Sequence, residues 1–145
     1  MSPRIAAALV PVMAFALGCG GGADSAGDAG LTFAATPIQT VRSDSGALNV
    51  AVHAQAGRTP ARGINAFRFV ITDSKGAPVD GLQVTVSPLM PYMGHGSSVT
   101  PTVNAAGGGA YDITNVVFPM AGRWDLNSNF TGPVTDAAKP FFDIQ

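Results

Sequence analysis

The chain has 145 residues, a net charge of −1 at pH 7, and charged side chains at only 12% of positions. It contains no basic run or patch, so we do not expect nucleic acid to be a partner. It also lacks glutamate while carrying 18 glycines and 11 prolines. That composition disfavours helices and favours strands and turns, which excludes the helical fold classes.

The first eighteen residues have the features of an export signal. Arg4 and the amino terminus give a positive start, and Ile5 to Leu17 form an apolar run of thirteen residues. A signal peptide needs roughly 7–15 apolar residues, whereas a membrane-spanning helix needs about 20. We therefore predict that residues 1–18 are a signal peptide and are removed.

Cys19, the only cysteine, follows this run directly. The sequence Ala16-Leu17-Gly18-Cys19 resembles the cleavage box of bacterial lipoproteins, in which small residues precede the cysteine. Residues 19–30 are rich in glycine, alanine, serine and aspartate, which is typical of a flexible linker. The alternative is a buried structural cysteine in an apolar helix. We favour lipidation of Cys19 because the signal, the cysteine and the linker occur together.

Lipidation of Cys19 would determine where the protein is located and would remove its one thiol. Several acyl chains on Cys19 would hold the mature chain on a membrane without a transmembrane helix, and no thiolate would remain. The expected location is the bacterial cell envelope, where conditions are oxidising. Gly20, rather than aspartate, follows the cysteine. By resemblance to enterobacterial sorting rules, this favours the outer membrane, facing the periplasm.

Residues 31–145 are predicted to form a single all-β domain, because apolar and polar residues alternate along several short runs. In chain order the runs are Leu48–Ala54, Phe67–Ile71, Leu82–Val86, Tyr111–Phe118, Trp124–Phe130 and a last strand with Phe142 and Ile144. The alternation changes phase near Thr114-Asn115, which predicts a β-bulge. About seven short strands separated by turn residues predict an immunoglobulin-like antiparallel β-sandwich.

Soft metal ligands are concentrated in two turn-rich motifs. Met90-Pro91-Tyr92-Met93-Gly94-His95-Gly96 contains two methionines and a histidine in a loop-like context, and Met120 lies in a predicted turn between two strands. Thioether and imidazole ligands together suit copper, above all Cu(I). We predict a copper site formed by Met90, Met93 and His95, joined by Met120 if both motifs lie at the same end of the sandwich.

A purely structural interpretation of the same residues stays open. Methionines fill irregular gaps at the end of a core, and His95 could simply hydrogen-bond a neighbouring carbonyl. Of the remaining candidates, His53 is expected on an outer sheet face, Trp124 in the core and Tyr92 at an exposed rim.

The order and spacing of several motifs resemble the YtkA-like (FixH-related) domain of bacterial envelope proteins and lipoproteins. These motifs are Gly63-x-Asn65-x-Phe67-x-Phe69, Asp73-x-x-Gly76-x-Pro78-Val79, Val84-x-Val86, the Met90–Gly96 stretch, Gly109-x-Tyr111 and Val117-Phe118-x-Met120-x-Gly122-x-Trp124-x-Leu126. The resemblance covers residues 63–130. It implies an immunoglobulin-like fold and an association with copper trafficking or with the supply of copper to cytochrome oxidase.

No enzymatic motif accompanies these features. Ser97 and Ser98 follow His95 closely, but a catalytic triad needs spatial contacts that adjacency in sequence does not provide. Nucleophile-elbow, zinc-helix and phosphate-loop motifs are absent from the sequence. We expect a membrane-tethered copper-binding lipoprotein, not an enzyme, with a copper-handling envelope protein as partner. The alternative is a non-metal structural or protein-interaction module of the cell envelope.

Overall fold

The computed structural model describes residues 30–145, so the predicted signal peptide, Cys19 and residues 20–29 lie outside the described residues. Within residues 30–145 the chain forms ten strands and no helix. In chain order they are β1 Gln39–Arg42, β2 Leu48–Ala54, β3 Gly63–Asp73, β4 Gln83–Met90, β5 His95–Gly96, β6 Thr102–Gly107, β7 Ala110–Phe118, β8 Gly122–Thr131, β9 Asp136–Ala138 and β10 Phe141–Ile144.

The strands form two antiparallel sheets. One sheet has the order β1-β2-β3-β7-β6, and the other has the order β10-β8-β4-β5 with β9 also paired to β8. This arrangement confirms the predicted antiparallel β-sandwich. The six runs named from the sequence correspond to β2, β3, β4, β7, β8 and β10. The strands β1, β5, β6 and β9 bring the total to ten, more than the seven or so that were predicted.

The core lies between the inner faces of the two sheets. Phe67 of the first sheet stacks on Phe142 of the second, with ring centroids 4.9 Å apart, and Phe118 packs against Trp124 at 5.6 Å. Such aromatic pairs join the sheets through large buried surfaces. The largest fully buried side chains are Trp124, Tyr111, Phe67, Phe69, Phe118 and Phe130. Trp124 is therefore a core residue, as predicted.

The predicted bulge lies in β7. Asn65 of β3 pairs with Val116, but Phe67 pairs with Ile113, so Thr114 and Asn115 together lie opposite a single residue. Asn115 has φ 57, and in the described part of the chain it is the one residue other than glycine with a positive φ. Asparagine tolerates this left-handed conformation better than most residues do. The bulge restores the inward direction of the apolar side chains after the change of phase.

Strand register defines the two ends of the sandwich. Gly63 pairs with Phe118, and Leu89 pairs with Asp125, so the start of β3, the ends of β4 and β7 and the start of β8 lie at one end. We call this the methionine end. It comprises segments 55–62, 91–94 and 119–121, together with the first residues of β3.

At the opposite end, two polar contacts hold the loops to the sheets. Ser45, in the turn between β1 and β2, donates from its backbone N–H (3.2 Å) and from its hydroxyl to the Asp136 carboxylate of β9. Partial burial would raise the pKa of Asp136. Hydrogen bonds from Ser43, Ser45 and the Ala137 N–H outweigh it and lower the pKa from 3.8 to about 2. The Tyr111 hydroxyl donates to the Val79 carbonyl at 2.9 Å.

Candidate metal site

The first motif forms a tight hairpin instead of an open loop. Met90 is the last residue of β4 and His95 the first of β5, and the two are directly paired. The Met90 carbonyl accepts hydrogen bonds from the N–H groups of Met93 (3.2 Å) and Gly94 (3.0 Å). Gly94 has φ 63, which glycine adopts without steric cost. The expectation that Met90 and His95 lie in a loop is therefore corrected: both are strand residues.

The pairing of Met90 with His95 determines where the imidazole lies. Directly opposite residues of an antiparallel pair project from the same face of the sheet, with Cβ atoms about 4.5–5.5 Å apart. Met90 is buried among the core residues, so His95 shares the inner face of the second sheet. Because β5 is the edge strand, His95 is nevertheless exposed. The imidazole is thus available at the rim of the core, beside the Met90 side chain.

Met90 packs tightly against the beginning of β8. Its side chain is 5% exposed, and a β-carbon added to Gly122 would lie 2.7 Å from Met90 Cε and 3.9 Å from its sulfur. This contact supports a packing role for Met90, as in the structural interpretation of the motif. It also places the Met90 thioether next to Gly122, the first residue after the turn that contains Met120.

The second motif is the turn between β7 and β8, as predicted. The indole N–H of the buried Trp124 donates to the Met120 carbonyl at 3.0 Å, which fixes the turn to the core. The Met120 side chain itself is 42% exposed. Since Gly122 contacts Met90, the two motifs lie side by side at the methionine end.

The remaining predicted residues differ in exposure. Met93 is 59% exposed and Tyr92, as expected for a rim residue, 84% exposed. Three candidate ligands, Met93, His95 and Met120, therefore lie at the surface around the buried Met90. Within residues 30–145 no three histidine, cysteine or carboxylate side chains come together as a metal site.

His53 does not belong to this cluster. It lies on the outer face of the first sheet, opposite Arg68 in the register, and its Nδ1 is 2.8 Å from the Ala34 carbonyl oxygen. This outer position was predicted from the alternation. The imidazole holds the incoming segment of the chain against β2.

A cleft at the methionine end was not anticipated from the sequence. It has a volume of about 710 Å³ and is lined by residues that include Gly30, Leu31, Arg58, Arg62, Asn65 and Asn115. The signal in the sequence is the pair of arginines within five residues of a loop that contains no acidic residue. The cleft could not be predicted because it forms only in the folded domain, where the segment between β2 and β3, the strands β3 and β7 and the start of the described chain come together.

Comparison with known proteins identifies the family. Residues 44–129, more than half of the chain, match the YtkA-like family model. No significant match is found among curated proteins or among solved structures. In the described part of the chain no helix is present that could cross a membrane. The sandwich, the two motifs and the family match agree, and the chain belongs to the YtkA-like family.

Proposed function

We propose that this protein binds one Cu(I) ion at the methionine end and serves copper trafficking or homeostasis in the bacterial envelope. The ligands would be Met93, His95 and Met120, with Met90 at the base of the site. The observation that carries the proposal is the contact between Met90 and Gly122, which brings the two soft-ligand motifs together. The family association with copper, implied by resemblance, points in the same direction.

The donor set favours Cu(I) over other envelope cations. Thioethers are polarisable and carry no proton, so they bind soft Cu(I) and do not lose affinity at low pH. Hard Mg²⁺ and Ca²⁺ require oxygen ligands, and segments 55–62, 91–94 and 119–121 contain no carboxylate side chain.

The proposal also includes a membrane anchor at Cys19 and a partner protein that handles copper. Lipidation of Cys19 would hold the domain at a membrane, the outer membrane by preference, and a copper-handling envelope protein would deliver or receive the ion. The domain would bind and transfer copper without acting as an enzyme. Palmitate labelling that disappears in a Cys19→Ser variant supports the anchor, whereas labelling that persists contradicts it.

The copper site is tested by Cu(I) titration against the chelator bicinchoninate. We expect the wild-type domain to take up one equivalent, and a Met93→Leu/His95→Gln/Met120→Leu variant to lose that affinity. This variant leaves the buried Met90 intact, so the fold is preserved. The matched control is His53→Gln, which removes the other histidine and should bind like wild type. Equal affinity of the triple variant and wild type would favour the non-metal interaction module.

A further inference from the structure

Exposed apolar side chains concentrate at the methionine end. Of the six large hydrophobic residues that are exposed within residues 30–145, four lie there, whereas Ile38 and Val99 lie elsewhere. The four are Ile64 (68% exposed), Tyr92, Met93 and Met120. Clustered exposure of this kind marks an interaction surface, because scattered surface hydrophobics need no explanation.

Charged side chains are also distributed unevenly between the two ends of the sandwich. The segments of the methionine end carry Arg58 and Arg62 and no acidic residue. Among the ion pairs of residues 30–145, neither of these two arginines takes part, whereas Arg68 and Arg123 each pair with an aspartate. Next to these segments, Arg123, Asp125 and Asp143 lie where β8 begins and β10 ends, so three arginines and two aspartates give this end a charge of +1. The opposite end carries four aspartates against Arg42 and Lys75: Asp44, Asp73, Asp80 and Asp136. The methionine end is therefore the more positive of the two ends.

The chain also enters the domain at this end. Gly30 and Leu31 line the same cleft as Arg58 and Arg62. The Thr32 carbonyl accepts a hydrogen bond from Ala56 at 2.8 Å, which fixes the entering segment beside β2. Cys19 is eleven residues before Gly30 in the sequence. Eleven residues span at most about 40 Å even when fully extended. A lipid on Cys19 would therefore hold this end within about 40 Å of the bilayer.

We propose that the methionine end lies on the surface of an anionic phospholipid membrane. Exposed apolar groups around a tyrosine insert at the headgroup boundary, and arginines bind lipid phosphates while their aliphatic stems contact the acyl region. Ile64 and Tyr92 supply the apolar contacts, and Arg58 and Arg62 the phosphate contacts. The orientation rests on the proposed anchor, but the lipid affinity does not. Copper held at this end would lie next to the membrane surface.

The affinity for anionic lipid is tested on the chain from Gly20 to Gln145, which keeps every described residue and lacks the cysteine proposed to be lipidated. We expect it to partition onto vesicles of phosphatidylglycerol and phosphatidylethanolamine and only weakly onto phosphatidylcholine. An Arg58→Gln/Arg62→Gln variant should lose at least tenfold in partitioning, since each arginine near an anionic surface contributes about fivefold. The matched control is Lys75→Gln/Lys139→Gln, which removes the same charge away from the methionine end. Equal losses in both variants would overturn the proposal.

Orientation is tested by fluorescence quenching with brominated lipids. A tryptophan introduced by Tyr92→Trp should be quenched on binding, whereas one introduced by Ser74→Trp, in the turn after β3 at the opposite end, should not. Equal quenching at both positions, or no partitioning of the wild-type chain, would refute the membrane-facing surface. Cu(I) titration of the double-arginine variant should match wild type, because the arginines are not ligands. A failed copper titration and a failed vesicle experiment therefore remain distinguishable.

Discussion

At the scale of single residues, the tightest fit at the methionine end is between Met90 and Gly122. Gly122 has φ 129, a conformation that residues with side chains rarely adopt, and a β-carbon there would lie 2.7 Å from Met90 Cε. The glycine thus makes room for the buried methionine. The packing of the core and the position of one candidate ligand depend on the same contact.

We predict that Gly122→Ala destabilises the domain by about 1–3 kcal/mol, because backbone strain and overpacking add. Urea denaturation measures the loss. Gly96→Ala is the control, since its added β-carbon would approach nothing closer than the Pro88 carbonyl oxygen at 3.5 Å. Equal stability of Gly122→Ala and wild type would show that Met90 is free to move.

We also predict that the contribution of His95 depends on pH. His95→Gln should weaken Cu(I) binding strongly near about pH 7.5 and little near about pH 5, because protons compete with the metal for an imidazole nitrogen but not for a thioether sulfur. Met93→Leu should weaken binding equally at both values. Competition titrations at the two pH values test this. A His95→Gln effect that is the same at both would mean that the imidazole is not a ligand.

The sequence predicted several residue environments correctly and one incorrectly. Trp124 in the core, Tyr92 at the rim and His53 on an outer face follow from alternation and local composition. The burial of Met90 does not, because proline and glycine follow it closely and suggest a loop. Its position depends on pairing between β4 and β8 and on the absence of a side chain at Gly122, which are long-range features.

At the scale of secondary-structure elements, strands with strong alternation were predictable and the others were not. The strands β2, β4 and β8 alternate cleanly between buried and exposed positions. By contrast, β6 has the sequence Thr-Val-Asn-Ala-Ala-Gly and is mostly exposed, so it has no apolar periodicity. The two residues of β5 and the three of β9 are too short for any pattern. Such strands form because a neighbouring strand offers unpaired backbone groups.

The bulge in β7 leads to a prediction about a single strand. Asn115→Val should destabilise the domain by about 1–2 kcal/mol, because a β-branched residue is strongly disfavoured at φ 57. Asn115→Gly should be close to neutral, since glycine adopts this conformation freely. Thermal denaturation of both variants tests the idea. Equal Tm values would show that β7 relaxes to another register.

At the scale of the whole molecule, the Asp136 contact joins the β1–β2 turn of one sheet to β9 of the other. Its pKa is lowered to about 2 from 3.8, so the charged form stabilises the fold above pH 3.8. That contribution should be lost as the pH falls from about 4 to about 2, because the folded state must then bind a proton.

The predicted loss is about 1 kcal/mol after allowance for solvent screening of this partly exposed carboxylate. Asp136→Asn should lower stability at neutral pH and reduce its decline between about pH 4 and pH 2. Denaturation across this range measures the effect, with Asp143→Asn as the control because Asp143 is exposed. Identical pH profiles for Asp136→Asn and wild type would assign the acid sensitivity to other groups.

The central claim is that a YtkA-like sandwich holds Cu(I) at one end through thioethers and an imidazole. X-ray absorption at the copper edge of the Cu(I)-loaded domain tests it most directly, because sulfur and nitrogen neighbours scatter differently. The account predicts sulfur and one imidazole nitrogen bonded to copper, with less sulfur in a Met93→Leu/Met120→Leu variant. A spectrum with nitrogen and oxygen alone, unchanged in that variant, would contradict it.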